Sequence, residues 1–283
     1  MLSTGERLRN GLRAIVTKTG QEVIRAGNML GEMTKANSMN APSDLQGNQV
    51  YVWHADLRLP KSELARLHDL LNEEEQERAL RFKVPMAREQ FVISHGFLRL
   101  IIARYLGTAP TNVQIAVGEH GKPMLAGNSK VKFNLSHTDG AATIAVTRNH
   151  EVGVDVERVR KDINVLELSD RFFSAAEAEW IRGQSENEQA HAFYLCWTAK
   201  EAYVKACGTG LSMPLSRFSL IPSKNQQKLT LQSPDALGER DRWSIWQIHL
   251  QPELCCAVAV HAPEAAIHVK KWDWNRWLDG QGN

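Results

Sequence analysis

The sequence predicts an α+β fold, a pseudo-dimer of two similar halves, each packing one long helix on an antiparallel sheet. Three observations lead there. Two long helical runs, one opening at Pro85 and one at Ser185, each stop at a glycine, Gly107 and Gly208. Each run is followed by short apolar or alternating stretches of strand length. The closing parts of the halves also look alike: Ala141-Ala-Thr-Ile-Ala-Val146 with Val152-Gly-Val-Asp-Val156, and Cys255-Cys-Ala-Val-Ala-Val260 with Ile267-His-Val-Lys-Lys271.

The elements follow in order. Residues 50–57 alternate and read as a strand. Pro60 opens a short helix to about residue 71, and Asn72, with Glu75 three residues on, caps another through residue 82. Proline suits a first turn, so the long helix starts at Pro85. Its apolar stripe is Phe91, Ile93, Phe97, Leu98, Ile101, Ile102 and Tyr105. Strands are predicted at 113–117, 131–135, 141–147 and 152–157, with a turn over 118–124. In the second half, Ser174 with Glu177 forms a capping box for a helix to about residue 182, and Ser185 with Glu188 forms another for the second long helix. Strands at 218–221, 228–231, 243–250, 255–261 and 267–272 complete the half. The domain reading is an N-terminal extension over 1–47, flexible by composition, halves over 48–157 and 158–275, and a tail over 276–283. Within the extension, helical spacing recurs over 7–33, and Met29, Met33 and Met39 are alternative starts.

Composition narrows the function classes. A chain of 283 residues, 43% of them apolar, can bury one large core or two ordinary ones. A net charge of +2 with no long basic run argues against nucleic acid as a partner. No apolar run approaches the ~20 residues of a membrane span, and no secretory signal is evident. Four cysteines without a C-x-x-C pair read as reduced, so a cytoplasmic location is expected.

Chemistry is concentrated in two segments. As a strand, Gly153-Val-Asp-Val-Glu157 points Asp155 and Glu157 to one side. As a helix, residues 196–208 align Trp197, Glu201 and Lys205 along one face. Three carboxylate-bearing positions and a lysine describe a Mg²⁺ and phosphate site. Taken singly, each signal has a plainer meaning. Acids at alternate strand positions can simply face water, and Glu-Lys pairs four apart stabilise helices by ~0.2–0.5 kcal/mol. Lys200 projects away from Glu201 and is expected to serve structure. Ser136-His137 ends a strand and Lys122 sits in a turn. Arg78, Arg81, Lys83 and Arg88 form a basic cluster that reads by default as a solvated face.

The ordered combination says more. Phe133-Asn-Leu-Ser-His137, Gly153-Val-Asp-Val-Glu157, Arg171-Phe-Phe-Ser174 with Glu177, and Trp197-Thr-Ala-Lys-Glu-Ala-Tyr-Val-Lys205 with Gly208 together resemble the Sfp-type 4′-phosphopantetheinyl transferases, the pseudo-dimeric class of that superfamily. Gly121-Lys-Pro123 and Gly210-Leu-Ser-Met-Pro214 fit as well, and the resemblance spans about residues 50–272. It implies a Mg²⁺-dependent holo-[acyl-carrier-protein] synthase that moves the phosphopantetheine arm of coenzyme A to a serine of an acyl, peptidyl or aryl carrier protein, releasing 3′,5′-ADP. By motif match, Asp155, Glu157 and Glu201 would hold the metal, and Glu201 would help deprotonate the serine. Lys205 would meet the pyrophosphate. Ser136, His137 and Lys122 would contact coenzyme A phosphates, with Arg81 and Arg88 near the 3′-phosphate. The segment 159–173 would dock the carrier. The resemblance and the internal duplication imply a monomer. The competing readings are a family member that binds carriers without turnover and another Mg²⁺-dependent phosphoryl-transfer enzyme.

Overall fold

The computed structural model describes residues 45, 47–118, 121–210, 213–221, 227–232 and 242–278. The N-terminal extension, with its helical stretch, therefore lies almost wholly outside the described residues, as do Leu211, Ser212 and most of the tail.

Strand β1 (Gln49–Asp56) leads into helices α1 (Lys61–His68) and α2 (Glu73–Leu80). Asn72 and Glu75 form the full capping box at α2. The long helix α3 (Pro85–Leu106) ends at Gly107, whose φ of 62° is the left-handed cap that glycine adopts without strain. A small hairpin, β2 (Ile115–Val117) and β3 (Pro123–Leu125), occupies the region read as one strand and a turn. Strands β4 (Val131–Thr138), β5 (Ala141–Arg148) and β6 (Val152–Arg158) follow. Helix α4 (Val165–Phe172) was not expected; its signal was Asn164, whose side chain accepts the Glu167 N–H.

Helix α5 (Ala175–Arg182) carries the predicted Ser174–Glu177 box. At α6 (Glu186–Cys207) the expected box does not form, because the Ser185 hydroxyl donates to the Glu188 carboxylate at 2.6 Å instead of accepting a backbone N–H. Residues 218–221 make only an isolated bridge, Ser219 to Gln232, rather than a strand. Strands β7 (Lys228–Leu229), β8 (Ser244–Ile248), β9 (Leu254–Val260) and β10 (Ala266–Lys271) and a terminal turn of helix, α7 (Trp274–Leu278), complete the described chain.

Two four-stranded sheets result, β10-β1-β5-β4 and β6-β9-β8-β7. The second is antiparallel throughout. The first is mixed, because β10 runs parallel to β1. The antiparallel expectation therefore fails at that pair, and the reason is connectivity. A parallel partner needs a long crossover, and here the chain passes through the whole second sheet before β10 returns.

Alternation on β1 shows how the layers stack. Tyr51 and Trp53 face α3 and share a core with Phe97, Ile101 and Trp272. Val50 and Val52 face the other way, onto Val154, Val156, Val258 and Val260 of the second sheet. The far side of that sheet, at Ile245, Ala257 and Ala259, packs on Ala199, Ala202 and Ala206 of α6. The layers are thus helix, sheet, sheet, helix. Sheet membership crosses the boundary drawn at residue 157, since β6 belongs to the second sheet and β10 to the first.

Candidate active site

The candidate site lies where α6 crosses β6. At Gly153 the two backbones nearly touch. A Cβ there would lie 2.1 Å from the Ala202 carbonyl oxygen and 2.4 Å from the Ala206 nitrogen, so no side chain fits. This approach lays Lys205 against the outward edge of β6. Its Nζ is 2.6 Å from Asp155 Oδ1 and donates to Ser136 Oγ at 3.1 Å and to the Val154 carbonyl at 3.3 Å. Ser136 in turn donates to Asp155 Oδ1 at 2.8 Å, closing a triangle of hydroxyl, carboxylate and ammonium.

Asp155 and Glu201 are 1% and 2% exposed, whereas the Lys205 side chain keeps 20% of its surface. Burial makes a carboxylate charge costly unless donors and cations compensate it, and Ser136 with Lys205 does so for Asp155. Glu201 lies one helical turn before Lys205. One turn earlier again, Trp197 packs among Phe172, Phe173 and Phe193, an anchor for the helix. Glu157 is half-buried and accepts from Thr138 Oγ1 at 3.1 Å.

The residue beside Glu201 serves the fold, as the helical angle implied. Lys200 and Glu177 are both fully buried and pair at 2.8 Å. Burial pushes the Lys200 ammonium below its ordinary pKa, against the pull of Glu177.

The other predicted residues divide. Ser136 belongs to the central cluster. Lys122 stands at its edge, 2.9 Å from Glu151 and donating to the Ala206 carbonyl at the end of α6. Glu151 also meets Lys132 at 3.4 Å. These three charged side chains line a cavity of about 240 Å³ that reaches Pro123, Phe133 and Gly208. Burial raises the Glu151 carboxyl, but Lys122 and Lys132 outweigh it and hold its pKa below the ordinary range. His137 is half-buried on β4, one position on from Ser136 and so on the opposite face. Arg81 and Arg88 are exposed on the α2–α3 helical layer, Arg81 pairing with Glu77 at 3.5 Å.

Among the described residues, no group of three or more His, Cys, Asp or Glu side chains is gathered tightly enough to hold a metal ion alone. The donor set still suits one kind of ion. Asp155, Glu157 and Glu201 offer only hard oxygens, and Mg²⁺ commonly takes one or two carboxylates and fills its shell from water and substrate phosphates. Sequence reading missed Gly153 as the contact point, Glu151 as the partner of two lysines, and Asn134 and Thr138 as supports of β6. The alternation Asn134-x-Ser136-x-Thr138 was a legible signal for the last two.

Comparison with known proteins places the chain in a family. Residues 151–259 match a family model described as the 4′-phosphopantetheinyl transferase superfamily. Residues 58–149 match one described as 4′-phosphopantetheinyl transferase, N-terminal. The 4′-phosphopantetheinyl transferase HetI of Nostoc sp. is 32% identical over 233 residues, covering 81% of this chain and 94% of HetI. The 4′-phosphopantetheinyl transferase Sfp of Bacillus subtilis is 28% identical, covering 66% of this chain and 82% of Sfp. A solved holo-[acyl-carrier-protein] synthase from Thermotoga maritima is 19% identical over 40% of this chain and 64% of that one, with a TM-score of 0.34.

Proposed function

The chain belongs to the 4′-phosphopantetheinyl transferase family and is a transferase, and we propose that it moves the arm of coenzyme A onto a serine of an apo carrier protein. The observation that carries this reading is the meeting of Lys205, Asp155 and Ser136 beside the buried Glu201, at the crossing of β6 and α6.

Transfer of this kind needs positioning and charge neutralisation more than covalent help. The carrier serine oxygen bonds to the β-phosphorus of coenzyme A. The bond from that phosphorus to the bridging oxygen breaks, and 3′,5′-ADP leaves with the electron pair. Glu201 accepts the serine proton, directly or through water. Lys205 stays beside the pyrophosphate and offsets charge on the departing oxygen. Asp155, Glu157 and Glu201 would hold Mg²⁺, which supplies further neutralisation of the phosphate oxygens. Ser136, His137 and Lys122 would contact the phosphates, and Arg81 and Arg88 the 3′-phosphate. For Lys122 this requires exchanging Glu151 for substrate, for Ser136 turning its hydroxyl from Asp155 to a phosphate oxygen, and for His137 an approach from the other face of β4.

The repetition of a 22-residue helix on a sheet supports a pseudo-dimeric arrangement in which one chain supplies both sides of the cleft and acts as a monomer. The carrier, acidic by type, would dock on residues 159–173, which include α4 and offer Arg160, Lys161 and Arg171. A cytoplasmic site of action is part of this proposal; separately, among the described residues no helix is long and apolar enough to cross a membrane.

The test is intact-protein mass spectrometry of an apo acyl carrier protein with this protein, coenzyme A and Mg²⁺, with and without EDTA. A gain of one phosphopantetheine group, abolished by EDTA, is expected. No gain across acyl, peptidyl and aryl carriers, with carrier binding retained, would replace transfer by binding without turnover.

A further inference from the structure

Strand β6 is an edge strand of its sheet, so alternate backbone N–H groups point away from β9 and need partners. Side chains of β4 supply them. Asn134 Oδ1 accepts the Val154 N–H at 2.9 Å, Ser136 Oγ the Val156 N–H at 3.4 Å, and Thr138 Oγ1 the Arg158 N–H at 3.3 Å. The separation is 20 residues each time, so the two strands run side by side in one register, with side chains standing in for a backbone ladder.

Two of these side chains have a second task. A hydroxyl carries one proton and two lone pairs. Once a backbone N–H has fixed the oxygen, the remaining O–H can be aimed. Ser136 aims it at Asp155 and Thr138 aims it at Glu157. The two acids two residues apart on β6 are thus each held by a hydroxyl two residues apart on β4. The lysine donates to the first pair, Ser136 and Asp155.

We propose that Thr138 is a positioning residue for Glu157: its hydroxyl, pinned by the Arg158 N–H, holds that carboxylate ready for a divalent cation. The proposal rests on the phosphopantetheinyl-transfer reading above. Hydrogen-bond partners of metal-binding carboxylates set affinity, and their loss typically costs about 10–100-fold. Thr138 therefore bears on metal affinity without touching substrate.

The experiment measures Mn²⁺ binding to the full chain by electron paramagnetic resonance, with and without coenzyme A, beside kcat, the KM for coenzyme A and the melting temperature. Thr138→Val keeps the shape and removes both hydrogen bonds; Thr138→Ser keeps them. Thr138→Val is expected to weaken Mn²⁺ binding about tenfold, and Thr138→Ser is expected to match the unmodified protein. In a Glu157→Gln background, Thr138→Val is expected to cause no further loss, since it acts through that carboxylate. Undiminished Mn²⁺ affinity in Thr138→Val, equal impairment in Thr138→Ser, or a full additional loss in the double variant would overturn the proposal. Transfer to a carrier with no Mn²⁺ bound by the unmodified protein would overturn the metal assignment, and this role with it, while leaving the transferase reading intact.

Discussion

Lys200 and Lys205 lie on the same helix, five positions apart, and do opposite work. Lys205 keeps solvent access and reaches Asp155, whereas Lys200 is sealed against Glu177 and donates to the Leu215 and Phe218 carbonyls. Removing one partner of a buried pair leaves a charge without compensation, so Lys200→Met is expected to destabilise the fold by about 3–5 kcal/mol. Urea denaturation would read this, and an unchanged midpoint would contradict it. Lys205→Met also strips a buried carboxylate of its cation, so it too should lower stability, though by less than Lys200→Met because the Lys205 ammonium is partly solvated and Ser136 still donates to Asp155. Its larger effect should be on kcat for transfer, a fall of about 100-fold or more, as expected for the loss of one stabilising group at the proposed reacting centre. A change confined to carrier affinity would contradict its assignment. Asp155→Asn preserves shape but not charge and should abolish transfer while circular dichroism stays the same.

The crossing of β6 and α6 depends on a missing side chain. Gly153→Ala would place a methyl at 2.1 Å from a backbone carbonyl, and backbone moves less readily than a flexible side chain. Helix and strand must separate, taking Lys205 away from Asp155. The expected result is a stability loss of about 1–3 kcal/mol together with a fall in transfer larger than that loss alone would cause. Full activity at normal stability would show that the contact does not set the site.

Strand β1 offers a pH test. Burial, reinforced by Lys271 on the neighbouring β10, lowers the His54 pKa from 6.5 to about 4. The folded protein thus keeps a neutral imidazole over a range in which the unfolded chain takes up a proton. Its contribution is fully present above pH 6.5 and is lost as pH falls toward 4. At about 1.4 kcal/mol per unit, the loss amounts to about 3 kcal/mol. His54→Gln should flatten the stability profile across this window; an unchanged slope would assign it to other groups.

The molecule as a whole is tied together by exchanged strands. β10 completes the first sheet, and Trp272 and Trp274 fill the first core beside Phe97. β6 crosses the other way, pairing with β9. A fragment of residues 48–157 would therefore lose its parallel edge strand, two core tryptophans and the partner of β6. It is expected to be unfolded by circular dichroism and amide exchange, and the full chain to unfold in one cooperative step. A folded fragment would show that the halves are independent after all.

Much of this protein was determined by the sequence alone. The caps at Asn72 and Ser174, the glycine stops at 107 and 208, the two long helices and the ordered motif residues are local features. They depend on side chains within a turn or two of each other, so they are legible in order along the chain. The spacing of Trp197, Glu201 and Lys205 likewise followed from helical geometry. What only the tertiary structure decided is non-local. Strand periodicity says which face is buried but not which strand is the neighbour, so β10 beside β1 and β6 beside β9 could not be read out. For the same reason Thr138 and Glu151 drew no functional reading, although Thr138 alternates with Asn134 and Ser136, and Gly153 was read only as part of a strand. Each acquires its role from a partner 19 or more residues away, the Glu157 carboxylate, the Lys122 ammonium and the backbone of α6. Those pairings are chosen by how whole layers pack, which no local pattern encodes.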